Sequence, residues 1–178
     1  MDFSLYNPND VTEIKNLFVR TFSDSESEAE GEIVGSLAYD VMATTEQNDM
    51  FVFIAKKDGE IAGSIIFSRL TFENGINAFL LSPVAVSTAF QGQGVGQALI
   101  NFGLNTLKEH GVALVFTYGD PNFYSRVGFA PVSKEVVKAP LPLSHPEGWL
   151  GQSLTGSVIE PIQGESHCVA AMNKPEIW

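Results

Sequence analysis

The stretch Phe90-Gln91-Gly92-Gln93-Gly94-Val95-Gly96-Gln97-Ala98-Leu99 places glycines at three alternate positions, directly before a helical pattern. That pattern predicts an amphipathic helix from Gly94 to His110, stopped by Gly111, whose apolar face contains Val95, Ala98, Leu99, Phe102 and Leu107. A strand that passes through glycines into a helix N-terminus aims free backbone N–H groups and the positive end of the helix dipole at one point. We therefore predict an anion site at this loop, with phosphate as its natural guest.

The spacing of the glycines separates this loop from two common phosphate-binding motifs. The dinucleotide fingerprint, counted from Gly92, requires a glycine where Gln97 stands, and the Walker loop requires a lysine that this stretch lacks. A tight strand-to-helix turn needs only one or two glycines. Three glycines with interleaved glutamines therefore favour a bound phosphate, and their spacing disfavours a flavin- or nucleotide-binding regulator.

The residues before the loop are expected to form three consecutive antiparallel strands. Residues 51–70 contain two β-rich runs joined at Asp58-Gly59, which is a strong hairpin signal. Asn74-Gly75 offers a second turn, which leads into residues 76–86. Pro83 interrupts this third strand. Since proline cannot donate to a strand ladder, it predicts a bulge or a loss of pairing with the next strand.

The residues after the loop complete a βαβ unit. Val112–Thr117 is continuously apolar and β-branched, as in a buried strand. A strand, a helix and a second strand in this order predict a parallel pair after the antiparallel meander. The expected fold class is therefore α/β, with a mixed sheet flanked by helices.

Helical periodicity also precedes the sheet. Val11–Phe22 is expected to be a first helix with Asp10 as its N-cap, and Ser25-x-x-Glu28 has the capping-box spacing of a second helix. Beyond the βαβ unit, we expect a short helix at Phe123–Val127 and a last strand near His167–Met172.

An acidic run lies at the start of the second predicted helix. It consists of carboxylates at every second position: Asp24, Glu26, Glu28, Glu30 and Glu32. Carboxylates near a helix N-terminus are favoured by the helix dipole, so a solvated helix start is one explanation. The alternative is a surface that attracts a cationic substrate.

The composition limits the classes of function. A chain of 178 residues with 44% hydrophobic and 17% charged residues is long enough for one well-buried core, and we expect a single domain. A net charge of -11 disfavours nucleic acid as a partner. No apolar run reaches the length of a membrane span, and the N-terminus lacks a signal-peptide pattern, so we expect no membrane partner and a cytoplasmic location. Cys168 has neither a disulfide partner nor a companion at metal-ligand spacing, which predicts a small buried hydrophobe and no metal.

Two segments together resemble one protein family. Gln91-x-x-Gly94-x-Gly96 is similar to the pyrophosphate loop of the GNAT acetyltransferase superfamily, and the downstream segment Phe123–Phe129 is similar to its Tyr-x-x-x-Gly-Phe segment. The stretch Gly119–Phe129 most resembles the small bacterial YhbS-type branch. The resemblance covers about residues 51–129. It implies a single GNAT domain over residues 1–178, with an acetyl-CoA-binding core at 1–130 and a variable C-terminal part with the final strands at 131–178.

The resemblance also implies a ligand and the residues that hold it. The ligand is acetyl-CoA, used as the acyl donor without a metal, and its pantetheine arm pairs with the backbone of the bulged strand as an added strand would. The side chains there would pack in the core at the same time, because the backbone binds while the side chains pack. The implied CoA-binding residues are Val84, Ala85, Val86, Gln91, Gly92, Gln93, Gly94, Val95, Gly96, Gln97 and Asn122.

The implied reaction is transfer of the acetyl group to a primary amine of a small molecule or peptide by direct attack in a ternary complex. Tyr124 matches the family's tyrosine that donates a proton to the departing thiolate; the alternative is an aromatic that only packs the short helix. Many relatives use a glutamate on the bulged strand as a base, and this strand has no carboxylate. Glu73, Asp120, His145 and the acidic run stay open as candidates.

Other functions fit the same residues. A catalytically silent CoA-binding module would keep the glycine loop, and an enzyme that transfers another acyl group, or that uses an alcohol acceptor, would keep both segments. The sequence is compatible with a monomer or a homodimer.

Overall fold

The structure is a computed structural model that describes residues 1–178. Its helices are α1 (Val11–Ser25), α2 (Glu28–Thr44), α3 (Val95–Glu109) and α4 (Pro121–Tyr124). Its strands are β1 (Asp2–Leu5), β2 (Met50–Lys57), β3 (Glu60–Phe72), β4 (Ala78–Val86), β5 (Leu114–Tyr118), β6 (Ala130–Pro131), β7 (Trp149–Ser153) and β8 (Ser166–His167). None of the helices combines the length and the hydropathy that a membrane crossing requires.

The strands form one mixed sheet. Its order is β1-β2-β3-β4-β5-β7-β6, and β8 pairs separately with β3. The pair β4–β5 is parallel and is connected through α3, whereas the other pairs are antiparallel. At the β2–β3 turn, Asp58 and Gly59 have positive φ values of 52° and 83°. Such values are typical of the two-residue hairpin turns whose twist matches the twist of the strands that they join. The predicted meander, the βαβ unit and the α/β class are confirmed.

Helices cover both faces of this sheet. On one face, α1 and α2 pack through residues such as Ile14, Leu17 and Phe18 against strand residues such as Ile66 and Leu70. On the other face, α3 packs against alternate residues of β2 to β5. Of its predicted apolar residues, Val95, Leu99 and Leu107 are buried, whereas Phe102 is half-buried and Ala98 is exposed. The buried residues of α3 are Val95, Gly96, Leu99, Ile100, Gly103, Leu104 and Leu107. The two faces are called the α1–α2 face and the α3 face below.

Helix α1 begins at Val11 with Asp10 in the N-cap position, as the sequence predicts, whereas α2 begins after a different cap residue. Asp10 makes no side-chain cap bond to α1, and its carboxylate instead accepts from the Asn7 N–H at 2.9 Å. The cap of α2 is Ser27, whose Oγ accepts from the Glu30 N–H at 3.1 Å. The predicted capping box at Ser25 is wrong because α1 continues through Ser25 and includes it in its last turn.

The region beyond α4 departs furthest from the predictions. The predicted strand near His167–Met172 is wrong over most of its length. In this region only the two residues of β8 pair with β3, and Ala170–Met172 forms a 3-10 turn. Strands β1, β6 and β7 were not predicted, since strands of two to five residues offer too few alternations to stand out. Cys168 is half-buried against the core of the α1–α2 face, and burial raises the pKa of its thiol.

Candidate active site

The parallel pair β4–β5 separates at the predicted position. Pairing ends at Leu81 and Thr117. On the other edge of β4, the register with β3 shifts, so that Ser82 and Pro83 lie opposite the single residue Ile66. This is a bulge, and beyond it β4 continues beside β3 while β5 diverges. The result is a V-shaped gap between the ends of two parallel strands.

Backbone groups of β4 face this gap. The Ser87 N–H donates to the Ala62 carbonyl across the β3 ladder at 2.8 Å. Because backbone groups alternate between the two edges of a strand, those of Val84 and Val86 point the other way, toward β5. The Val86 carbonyl accepts from the Gln91 side chain at 2.9 Å. The gap therefore offers strand edge groups, most of them free, to an extended ligand.

The side chains at these positions take no part in that edge. Val84 and Val86 are half-buried and pack in the core of the α3 face, whereas Ala85 is buried in the core of the α1–α2 face. Packing by the side chains and binding by the backbone are thus compatible in this strand.

The glycine loop leads from β4 into α3. The N–H groups of residues 92–97 have no protein acceptor, and the first helical bond in this region runs from the Ala98 N–H to the Gly94 carbonyl at 3.0 Å. A row of unpaired donors at the N-terminus of a 15-residue helix is an anion site. The Gln93 side chain donates to the Ala89 carbonyl at 3.3 Å, so this glutamine between Gly92 and Gly94 braces the loop.

The three glycines of the loop have two different physical roles. Gly92 and Gly94 adopt φ of 74° and 78°, a region that favours glycine, and a Cβ at either position would meet open space. A Cβ at Gly96 would lie 3.3 Å from Val86 and 3.4 Å from Phe123. Gly92 and Gly94 thus shape the loop, and Gly96 allows α3 to pack closely on β4 and α4.

Tyr124 lies at the apex of the gap. Its ring forms edge contacts with Phe123 and Phe129 at centroid distances of 5.0 and 5.7 Å, and a Cβ on Gly119 would be 2.8 Å from it. Burial raises the pKa of the Tyr124 phenol, a side-chain hydrogen bond with Thr117 lowers it in part, and the Asp120 carboxylate raises it further. The net change is a raised pKa, so the phenol stays protonated near neutral pH.

Thr117 links Tyr124 to the strands. Its Oγ1 donates to the Leu81 carbonyl at 2.8 Å, at the last paired position of β4 and β5. The sequence did not identify Thr117 or Gly119 as residues of the site. Their only sequence signal is their position at the end of an apolar strand, just before the segment that contains Tyr124.

The remaining candidates fall into two groups. Near the apex, Asp120 caps α4 by accepting from the Asn122 N–H at 2.9 Å, and the Asn122 side chain is exposed. Farther away, Glu73 follows β3 at the end opposite the gap, against Gly164. His145 has an exposed side chain, with its Nδ1 3.7 Å from a Glu147 carboxylate oxygen.

The acidic run lies beside the segment that leads into the glycine loop. Asp24 accepts from the Thr88 hydroxyl at 2.7 Å, which joins the α1–α2 turn to the residues just before the loop. Glu26, Glu28 and Glu32 are exposed and Glu30 is half-buried, as expected for a solvated helix start. No three His, Cys, Asp or Glu side chains come together in a way that would hold a metal ion.

The fold and this site define an acetyltransferase. Residues 48–131 match the model of the acetyltransferase (GNAT) domain. Among similar structures, YhbS from Escherichia coli in complex with CoA has a TM-score of 0.80 at 24% identity, with 97% of this chain and 92% of that chain covered. A GNAT acetyltransferase from Brucella melitensis in complex with acetyl-CoA has a TM-score of 0.76 at 23% identity, with 97% of each chain covered.

Sequence relatives agree over most of the chain. The N-acetyltransferase YjhQ from Escherichia coli K12 is 31% identical over 172 residues, which are 93% of this chain and 91% of the relative. YhbS from the same strain is 33% identical over 123 residues, which are 68% of this chain and 69% of YhbS. The chain therefore belongs to the GNAT family of acetyltransferases. The resemblance inferred from the glycine loop and the Tyr124 segment, including the YhbS-type branch, is confirmed.

Proposed function

We propose that the protein is an N-acetyltransferase that moves the acetyl group of acetyl-CoA to a primary amine by direct attack in a ternary complex. The observation that carries this proposal is the row of unpaired N–H groups at residues 92–97 beside the free strand edge of the gap. Similar structures from Escherichia coli and Brucella melitensis hold CoA and acetyl-CoA, which supports the donor. Residues 1–130 would form the donor-binding core.

Each part of acetyl-CoA has a counterpart in the proposed site. The diphosphate would accept hydrogen bonds from the backbone of Gln91–Gln97, and the amides of the pantetheine arm would pair with the edge groups of Val84 and Val86. Asn122 would contact the donor from the exposed side of α4. Backbone donors suit this chain, because a net charge of -11 would otherwise repel a polyanion.

The groups at the apex would support the chemical step. The amine nitrogen attacks the carbonyl carbon of the thioester, the C–S bond breaks, and CoA leaves as a thiolate. A backbone N–H of β4 would stabilise the negative charge that develops on the carbonyl oxygen. Tyr124 would donate a hydrogen bond from its hydroxyl to the sulfur. No covalent intermediate on the protein is needed.

The raised pKa of Tyr124 specifies how the phenol would act. An ordinary thiol, with a pKa of about 8.5, is more acidic than a phenol of about 10, so proton transfer to an exposed thiolate is uphill. Burial raises the pKa of the thiol and of the phenol alike, so burial alone does not reverse this order at the apex. Tyr124 would therefore first stabilise the departing thiolate through a hydrogen bond and then give up its proton.

The acceptor ammonium must lose a proton before attack, because a model amine has a pKa of about 10.4. Strand β4 contains no carboxylate, and Asp120, the nearest acidic candidate, is engaged as the cap of α4. We assign no base. Location in the cytoplasm and a monomeric or homodimeric state stay predictions.

The test is release of CoA thiol from acetyl-CoA across a panel of polyamines, amino acids, aminoglycosides and lysine peptides. We expect amine-dependent thiol release that matches the amount of N-acetylated product. Binding of acetyl-CoA without release for any amine would favour the silent CoA-binding module. Faster release from a longer acyl-CoA would identify a different acyl donor.

A further inference from the structure

A small cavity lies behind the apex of the gap, on the α1–α2 face. It has a volume of about 30 Å³ and is lined by Leu80, Ser82, Tyr118, Met172, Ile177 and Trp178. Ser82 belongs to the bulge of β4, and Tyr118 is the last residue of β5. The cavity therefore reaches the apex from the face opposite the glycine loop and Tyr124.

Trp178 is held firmly in the wall of this cavity. Its side chain is only 3% exposed, and its ring lies parallel to that of Tyr118 at 5.9 Å and edge-on to that of Trp149 at 6.1 Å. The indole N–H donates to the Met172 carbonyl at 2.9 Å. The Ser144 hydroxyl donates to the Trp178 carbonyl at 2.6 Å, so backbone and side chain are both fixed.

The lining of the cavity is uncharged. Its polar side-chain groups are the hydroxyls of Ser82 and Tyr118 and the indole N–H of Trp178. Tyr118 Oη already accepts from the His145 N–H at 2.6 Å, and the indole N–H already donates to the Met172 carbonyl. An uncharged, largely apolar lining favours a neutral amine over an ammonium ion, and the neutral form is the one that attacks.

The size of the cavity restricts what can enter. A cavity needs about 10–15 Å³ to hold one water molecule, so this cavity of about 30 Å³ accepts a group the size of two waters. The terminal aminomethyl group of an unbranched amine has that size. A branch on the carbon next to nitrogen would collide with the wall formed by Trp178.

We propose that Trp178 determines the acceptor specificity of the enzyme, by closing the cavity behind the β4–β5 gap so that only the unbranched end of a primary amine reaches the apex. This inference rests on the proposed acetyl transfer. Trp178 acts from the variable C-terminal part and does not touch the donor loop.

The test compares n-butylamine with sec-butylamine, two primary amines of equal composition that differ by the branch. The wild-type protein should prefer n-butylamine in kcat/KM. Trp178→Leu should reduce that preference by about 10-fold, at the lower end of what one methylene-sized change in a pocket produces. Trp178→Phe keeps an aromatic side chain in the wall, so its preference for n-butylamine should lie between those of the wild type and Trp178→Leu. This variant also tests the proposal if Trp178→Leu folds poorly.

A matched control is Phe72→Leu. Phe72 is also 3% exposed in the core of the α1–α2 face, but it packs on Phe116 and does not line the cavity. Phe72→Leu should lower the melting temperature and leave the amine ratio unchanged. Trp178→Leu should still be stabilised by acetyl-CoA, because the donor loop lies on the other face.

The outcomes separate this inference from the function on which it rests. An unchanged amine ratio in both Trp178 variants, or transfer to other amines of the panel without any to n-butylamine, would overturn the role of Trp178 alone. Absence of transfer to every amine by the wild-type protein would refute the proposed function and this inference with it.

Discussion

Replacing Tyr124 with phenylalanine removes one hydroxyl and keeps the ring that packs against Phe123 and Phe129. The polar contact of this hydroxyl with Thr117 is worth at most about 0.5–1.5 kcal/mol net. Thr117 keeps its bond to the Leu81 carbonyl, so the change leaves no buried hydroxyl without a partner. Since about 1 kcal/mol shifts the melting temperature of a domain of this size by about 2–4 °C, we expect a fall of only a few degrees.

The effect on catalysis should be much larger. A hydrogen bond to a charged group such as a departing thiolate contributes about 1.5–3 kcal/mol. At about 1.36 kcal/mol for each factor of ten, its loss lowers turnover by about 10- to 150-fold, and we expect about 100-fold. The affinity for acetyl-CoA should change little, because the hydroxyl is needed when charge develops on sulfur and not when the donor binds.

The assay is single-turnover thiol release at saturating acetyl-CoA with the best amine of the panel, so that chemistry limits the measured rate. Calorimetric binding of acetyl-CoA and a thermal melt accompany it. Wild-type turnover in Tyr124→Phe would show that the phenol only packs α4. A 100-fold fall that comes with lost acetyl-CoA binding would instead assign Tyr124 to donor binding, against its proposed role in the departure of the thiolate.

Three other perturbations test the remaining parts of the site. Gly94→Val should abolish the rise in melting temperature caused by acetyl-CoA, a stabilisation of about 2.7 kcal/mol when acetyl-CoA is at 100 times its Kd. The control Gly75→Val, at a position with a similar φ of 73° and equally open surroundings, should keep that rise. An equal rise in both variants would refute the loop assignment. Neutralising Glu26, Glu28 and Glu30 with glutamine should raise KM for a cationic amine at low salt and not at high salt, whereas an unchanged KM at low salt would leave the acidic run as a solvated helix start. Burial raises the pKa of Tyr124 above 10, so the unfolded chain loses the phenol proton before the folded chain does, and stability falls as pH rises beyond 10. Over that pH range, the urea midpoint should fall less in Tyr124→Phe than in the wild type. Equal falls of the midpoint in both proteins would contradict the burial of the phenol.

The geometry of the proposed donor site could be predicted from the sequence because it is local. The unpaired N–H groups at residues 92–97 follow from glycines placed at the start of a strongly periodic helix. The strand separation follows from Pro83, which marks the bulge within β4. In each case, residues close together in the chain determine the geometry, so their spacing is enough to reveal it.

Helix boundaries were less predictable, because several residues compete for one role. Ser25 and Ser27 both precede acidic residues, and the choice of Ser27 as the cap depends on how far α1 continues. Likewise, Asp10 has the right residue type for an N-cap, but Asn7 and Lys56 engage its carboxylate instead. Tertiary contacts decide between such alternatives, and the local pattern does not contain them.

The proposed acceptor side could not be predicted, because chain segments remote from one another would build it. Ser82 and Tyr118 reach the cavity from two different strands, and Trp178 arrives through a tail whose two-residue strand carries almost no periodic signal. The proposed donor site would use backbone groups, which many sequences can supply while keeping the loop geometry. The proposed acceptor site would use side chains from residues 131–178 and from the strand ends. Substitutions in that C-terminal part can therefore change the acceptor while the donor site stays intact, as the expected separation of amine preference from acetyl-CoA binding in Trp178→Leu would demonstrate.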